Sequence, residues 1–133
     1  MFATLPTVSA IYAAIHGLLA VVLTVRVILN RVKTGIQAGD GGNARLAQAI
    51  RAHANLAEQV PLALLLIMLA EIIGTPAGLV HALGAVLVIG RLTNAIGLSR
   101  SLGPTMPRQA GAGLTVLVVT AASLSILFRL ALH

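Results

Sequence analysis

Four long apolar stretches, about Val8 to Leu29, Ala49 to Ile73, Leu79 to Leu98 and Ala110 to Leu132, occupy most of a chain of 133 residues. Each is close to the roughly 20 residues that a helix needs to cross the hydrocarbon of a bilayer. Apolar residues make up 58% of the chain and charged ones only 9%, so a water-exposed fold is excluded. The sequence therefore predicts an all-α integral membrane protein, one four-transmembrane-helix bundle over residues 1–133. The first stretch is expected to stay as a helix and not to be cleaved as a signal, since no Lys or Arg precedes it and its apolar run is long. Cysteine is absent, which rules out disulfides and thiol chemistry from the protein's own side chains.

Orientation follows from the preference of basic residues for the cytoplasmic side. Arg26, Arg31, Lys33 and Arg45 cluster at or beyond the end of the first span, and Arg100 and Arg108 follow the third. The turn Gly74-Thr75-Pro76-Ala77-Gly78 has none, and Arg129 alone counts against the rule on that side. Both termini are thus expected to face away from the cytoplasm. The net charge of +6 is accounted for by this topological signal and by anionic lipid headgroups, with no nucleic acid partner needed.

A polar stripe interrupts the second span. At about 100° per residue, Arg51, Asn55, Glu58 and Gln59 share one sector, with Gln48 just upstream. Such side chains within a membrane are costly and mark a functional site by default. Pro61 cannot donate to the Ala57 carbonyl and is expected to bend the helix beside the stripe. The third span adds Arg91 and Asn94 on one face, and the depth of Arg91 points to Glu58 as its partner. Two arginines, Arg51 and Arg91, against that one carboxylate leave a positive cavity, with Arg31, Lys33, Arg100 and Arg108 near its rim. An anionic ligand fits this balance. Glu71, at the far end of the second span, reads as a side chain snorkelling to water. His16 and His81 read as interior hydrogen-bonding or interfacial residues, and no cluster of metal-ligating residues is apparent. The segment from Thr34 to Asn43, with Gly39-Asp40-Gly41-Gly42, reads as a flexible connector, and Gly84, Gly90, Ala95 and Gly97 as small residues for contact between subunits.

The string Arg51-Ala52-x-x-Asn55-x-x-Glu58-x-x-Pro61, preceded by Gly39-Asp40-Gly41-Gly42, resembles the signature of the membrane-associated proteins in eicosanoid and glutathione metabolism (MAPEG), in particular their small bacterial members. The stretch Gly90-Arg91-Leu92 to Gly97-Leu98-Ser99-Arg100 resembles the third-helix motif of the same family. The resemblance implies a homotrimer in the bacterial inner membrane with glutathione as cofactor at each subunit interface. It also implies conjugation, peroxide reduction or isomerisation of hydrophobic small-molecule substrates that arrive through membrane lipid. Carried over by position, Arg51 and Asn55 match residues holding the peptide, Glu58 the carboxylate that receives its ammonium group, Arg31 a basic residue ending the first helix, and Arg91 the third-helix arginine.

Departures from the pattern are as informative. Gln59 follows Glu58, and Asn94 and Leu98 stand where the family places aromatic residues. The arginine that steadies the glutathione thiolate is expected shortly after the third-helix motif, where Arg108 is the first candidate and Arg100 the second. A membrane-bound glutathione transferase or peroxidase is the leading reading. A catalytically silent member of the fold, binding another anion, a lipid or a partner protein, is the alternative. A small drug/proton antiporter is disfavoured, because the first span has no acidic residue.

Overall fold

A computed structural model describes residues 5–132. The chain forms four helices, α1 (Thr7–Thr34), α2 (Ala44–Ile72), α3 (Ala77–Arg100) and α4 (Met106–Ala131), each long and apolar enough to cross a membrane. α2 and α4 start ahead of their apolar stretches because their polar first turns are capped. The Asn43 side chain accepts from the Leu46 N–H at 3.0 Å and starts α2 five residues ahead of the apolar run at Ala49. Thr105 does the same for α4 through the Arg108 N–H at 3.4 Å, with Pro107 in the first turn, where its missing N–H costs nothing. Gly35, at φ +71°, ends α1 by returning its N–H to the Arg31 carbonyl at 2.8 Å.

Short connections impose an up-down-up-down order. The central pair, α2 and α3, is flanked by α1 on one side and α4 on the other; among the described residues α1 and α4 do not touch. One core cluster gathers Ala63, Ile67, Val80, Leu83, Leu87, Val118 and Ala122, and the other Leu23, Ala52, Leu56, Val60 and Leu98. Large apolar side chains on the outer faces of α1 and α4, Leu18, Val22, Leu117 and Phe128 among them, are exposed. In water that surface would aggregate; in a bilayer it is ordinary.

Glycines set the tightest contacts, and they do so inside the subunit. A Cβ on Gly111 of α4 would lie 2.4 Å from the Gly90 carbonyl and 2.7 Å from the Asn94 nitrogen, and one on Gly97 would lie 2.7 Å from the Arg108 nitrogen. On α3, Gly84 receives the Tyr12 ring of α1 at 2.2 Å from its absent Cβ. The expectation that Gly84, Gly90 and Gly97 serve contacts between subunits is therefore corrected: all three are consumed by the packing of α3 against its own α1 and α4.

Two further expectations change. Glu71 does not reach for water. It is only 7% exposed, and its two carboxylate oxygens accept the Val8 and Ser9 N–H groups at 2.8 and 2.7 Å. The first turn of α1 carries no acid and its N-cap, Pro6, has no capping side chain, so α2 supplies the cap. Pro61 lies within an unbroken α2, and the space beside it opens toward α1 and away from the polar stripe. There it lines a cavity of about 240 Å³ with Ala13, His16, Gly17 and Ala20.

Candidate functional site

The end of the bundle that carries Arg31, Lys33, Arg45 and Arg100 also carries the polar stripe. On α2, Arg51 and Glu58 stand two turns apart on one face and form an ion pair at 3.4 Å, their side chains 45% and 51% exposed. Asn55, between them, turns inward. It lines a cavity of about 360 Å³ with Asn94 of α3, Pro104, and Arg108, Gln109 and Ala112 of α4. A smaller cavity of about 180 Å³ adjoins along α2 and α4, lined by Glu58, Gln59, Leu62, Thr115, Val116 and Val119. Both lie where α2 and α4 meet, and both are lined in part by polar side chains.

Arg91 is buried, 2% exposed. Its Nη1 donates to Asn55 Oδ1 at 2.8 Å and its Nη2 to the Gly111 carbonyl at 3.0 Å. The predicted Arg91–Glu58 pair is not made. Glu58 faces outward to Arg51, whereas Asn55, one turn nearer the basic end, has the azimuth that meets α3. Arg91 thus fastens three helices through neutral acceptors, and the planar guanidinium is suited to such a fork. The Gly111 carbonyl also accepts the Thr115 hydroxyl at 3.1 Å, which ties this lattice to the smaller cavity.

The other arginines divide by role. Arg108 lines the larger cavity, with its Nη1 donating to the Leu102 carbonyl at 2.6 Å and the Gly103 carbonyl at 3.3 Å. It braces the α3–α4 loop and is the one cation among the residues that line that cavity. Arg100 is exposed and lines neither cavity; its carbonyl accepts from Gln48 Nε2 at 3.4 Å. Arg31 folds over the first loop, donating to the Ile36 and Gly39 carbonyls at 3.1 and 3.0 Å, and it too lines neither cavity. Asn94 gives its Nδ2 to the Arg108 carbonyl at 3.0 Å. Leu98 is fully buried in the core and cannot contact a ligand.

The structure therefore brings Asn55, Asn94 and Arg108 into one cavity and sets Glu58 and Gln59 in the next; Arg51 lines neither and is held by its ion pair with Glu58, and Arg91 stands in support through Asn55. Gln109 and Thr115 escaped the sequence reading. Their signal was weak, since each is a lone polar residue in an apolar helix, yet with Arg108 and Ala112 they fall on one face of α4. Among the described residues no three His, Asp or Glu side chains come together as a metal centre would require. The two cavities can instead supply guanidinium and amide donors beside one carboxylate, a set complementary to a small zwitterion or anion.

The MAPEG family matches residues 9–128. The inner membrane protein YecN of Escherichia coli strain K12 is 37% identical over 95 residues, which are 71% of this chain and 72% of that protein. The protein of the same name in strain CFT073 matches to the same extent.

Proposed function

The chain belongs to the MAPEG family, and from that premise we propose that it is an inner-membrane, trimeric glutathione-dependent transferase or peroxidase acting on lipophilic electrophiles. One observation carries the reading: an ion pair, Arg51–Glu58, stands about half exposed on a membrane-spanning helix, and Asn55 between them lines a cavity of about 360 Å³ with Asn94 and Arg108. Charges in that setting call for cover by a polar ligand or a neighbouring subunit. The residues fit a γ-glutamyl peptide: Arg51 and the Asn55 amide for its carboxylates and carbonyls, Glu58 for its ammonium group. Glutathione, when bound, supplies the thiol. Arg108, the cation in the cavity wall, favours the thiolate by lowering the thiol pKa, which is ordinarily about 8.5. The apolar exterior of α2 and α4 lets a hydrophobic substrate approach from lipid.

The test is calorimetric titration of the detergent-purified protein with glutathione, beside a conjugation assay with a chlorodinitrobenzene electrophile. Arg51→Ala is expected to keep the assembly intact and weaken glutathione binding about thirtyfold, the equivalent of about 2 kcal/mol. Unchanged affinity in that variant refutes the peptide site. A second reading, binding without turnover, is favoured by one feature: Arg108 Nη1 is already held by two loop carbonyls. Glutathione binding with no conjugation or peroxide reduction would establish it.

A further inference from the structure

The two asparagines of the larger cavity have fixed orientations, because each is held by a partner that can bond in only one sense. Arg91 has donors alone, so Asn55 must turn its Oδ1 to that guanidinium, at 2.8 Å. A backbone carbonyl only accepts, so Asn94 must turn its Nδ2 to Arg108, at 3.0 Å. What remains for the cavity is opposite in kind: the Asn55 Nδ2 donor on α2 and the Asn94 Oδ1 acceptor on α3. Neither atom is sealed away. Among the described residues, the buried side-chain nitrogens and oxygens without a hydrogen-bond partner are His16 Nε2 and Arg91 Nε.

We propose that Asn94 is a specificity-determining residue, its Oδ1 accepting from an amide N–H of the ligand while Asn55 Nδ2 donates to a carbonyl of the same peptide. This rests on the glutathione reading and deepens it. A trans amide carries its N–H and C=O on opposite edges, which matches a donor and an acceptor on facing helices. A fully ionised phosphate or sulfate presents acceptors to both walls and leaves Asn94 Oδ1 facing another oxygen. The site thereby selects peptides against simple anions. The ligand's ammonium group is a competing donor, but Glu58 is the carboxylate placed for it.

The experiment replaces the ligand's N–H and keeps its charges. Full-length protein in detergent is titrated with glutathione and with two analogues, each having one of the two amides exchanged for an ester. One analogue is expected to bind the wild type at least about tenfold more weakly, because a polar site rejects the ligand that leaves its acceptor unpaired. In Asn94→Leu that ratio falls to about one, since the acceptor is gone; a loss of packing alone would weaken both ligands equally and leave the ratio standing. Asn94→Ala, which also removes the acceptor but adds no bulk, provides the same comparison should the leucine variant fail to fold. Equal binding of glutathione and both esters by the wild type overturns the role of Asn94 and leaves the peptide site intact. An ester penalty that persists in the Asn94 variants overturns it too, because another group then reads the amide. Absence of glutathione binding by the wild type overturns the functional reading, and this inference with it.

Discussion

Glu71→Gln tests whether one helix is capped by another. The carboxylate accepts two backbone N–H groups, Val8 at 2.8 Å and Ser9 at 2.7 Å, at the positive end of α1, and it is 7% exposed. Glutamine keeps the shape but sets an NH2 group against one of those N–H donors. A hydrogen bond to a charged group contributes about 1.5–3 kcal/mol, and loss of the charge from the helix end adds about 1 kcal/mol. The expected destabilisation is about 3 kcal/mol. Reversible unfolding in mixed dodecyl maltoside and SDS micelles, followed by circular dichroism, measures it. Val8→Pro provides the internal check, because it deletes one of the two donors at a first-turn position where proline is tolerated. In that background the Glu71→Gln cost should fall to about half, the coupling expected of groups in direct contact. The exposed Glu58→Gln should cost under about 1 kcal/mol. A Glu71→Gln protein within about 0.5 kcal/mol of wild type, or full additivity with Val8→Pro, refutes the cap.

Gly111→Ala should destabilise by about 3 kcal/mol, since its Cβ meets backbone atoms of α3 at 2.4 and 2.7 Å, whereas Gly113→Ala, with nothing within 4 Å, should be neutral or stabilising in the same unfolding assay. Arg108→Ala should slow conjugation at neutral pH by about tenfold, with the deficit narrowing as the pH approaches the thiol's own value; a deficit constant across pH would assign Arg108 to bracing the loop alone. Reporter fusions after Lys33 and Ser101 should be cytoplasmic and a C-terminal fusion should not, and a cytoplasmic C-terminal reporter would overturn the assigned orientation.

The helices were legible because their apolar runs are long, and the polar stripe because arginine, glutamate and asparagine recur at helical spacing on α2. What the sequence could not convey was rotation of one helix about its axis relative to the next. Depth along the membrane made Glu58 the natural partner of Arg91, but a turn of α2 presents Asn55 instead and leaves Glu58 to Arg51. The same limit hid the fate of the glycines, since spacing reveals a small-residue face without revealing whether that face meets the subunit's own α4 or a neighbour. Glu71 was misread for a related reason. Two of its partners are backbone N–H groups 62 and 63 residues earlier in the chain, which carry no side-chain signature. The missing cap on α1, a proline with no acid in the following turn, was the available clue.

Free volume in this bundle is unevenly shared. Backbones of α3 and α4 close on one another at glycine, whereas the α1–α2 seam holds two apolar hollows of about 430 and 240 Å³ that share Ala13 and Leu64. α1 is pinned at one end by the Glu71 carboxylate and tethered at the other by a loop whose glycines at 39, 41 and 42 all have positive φ.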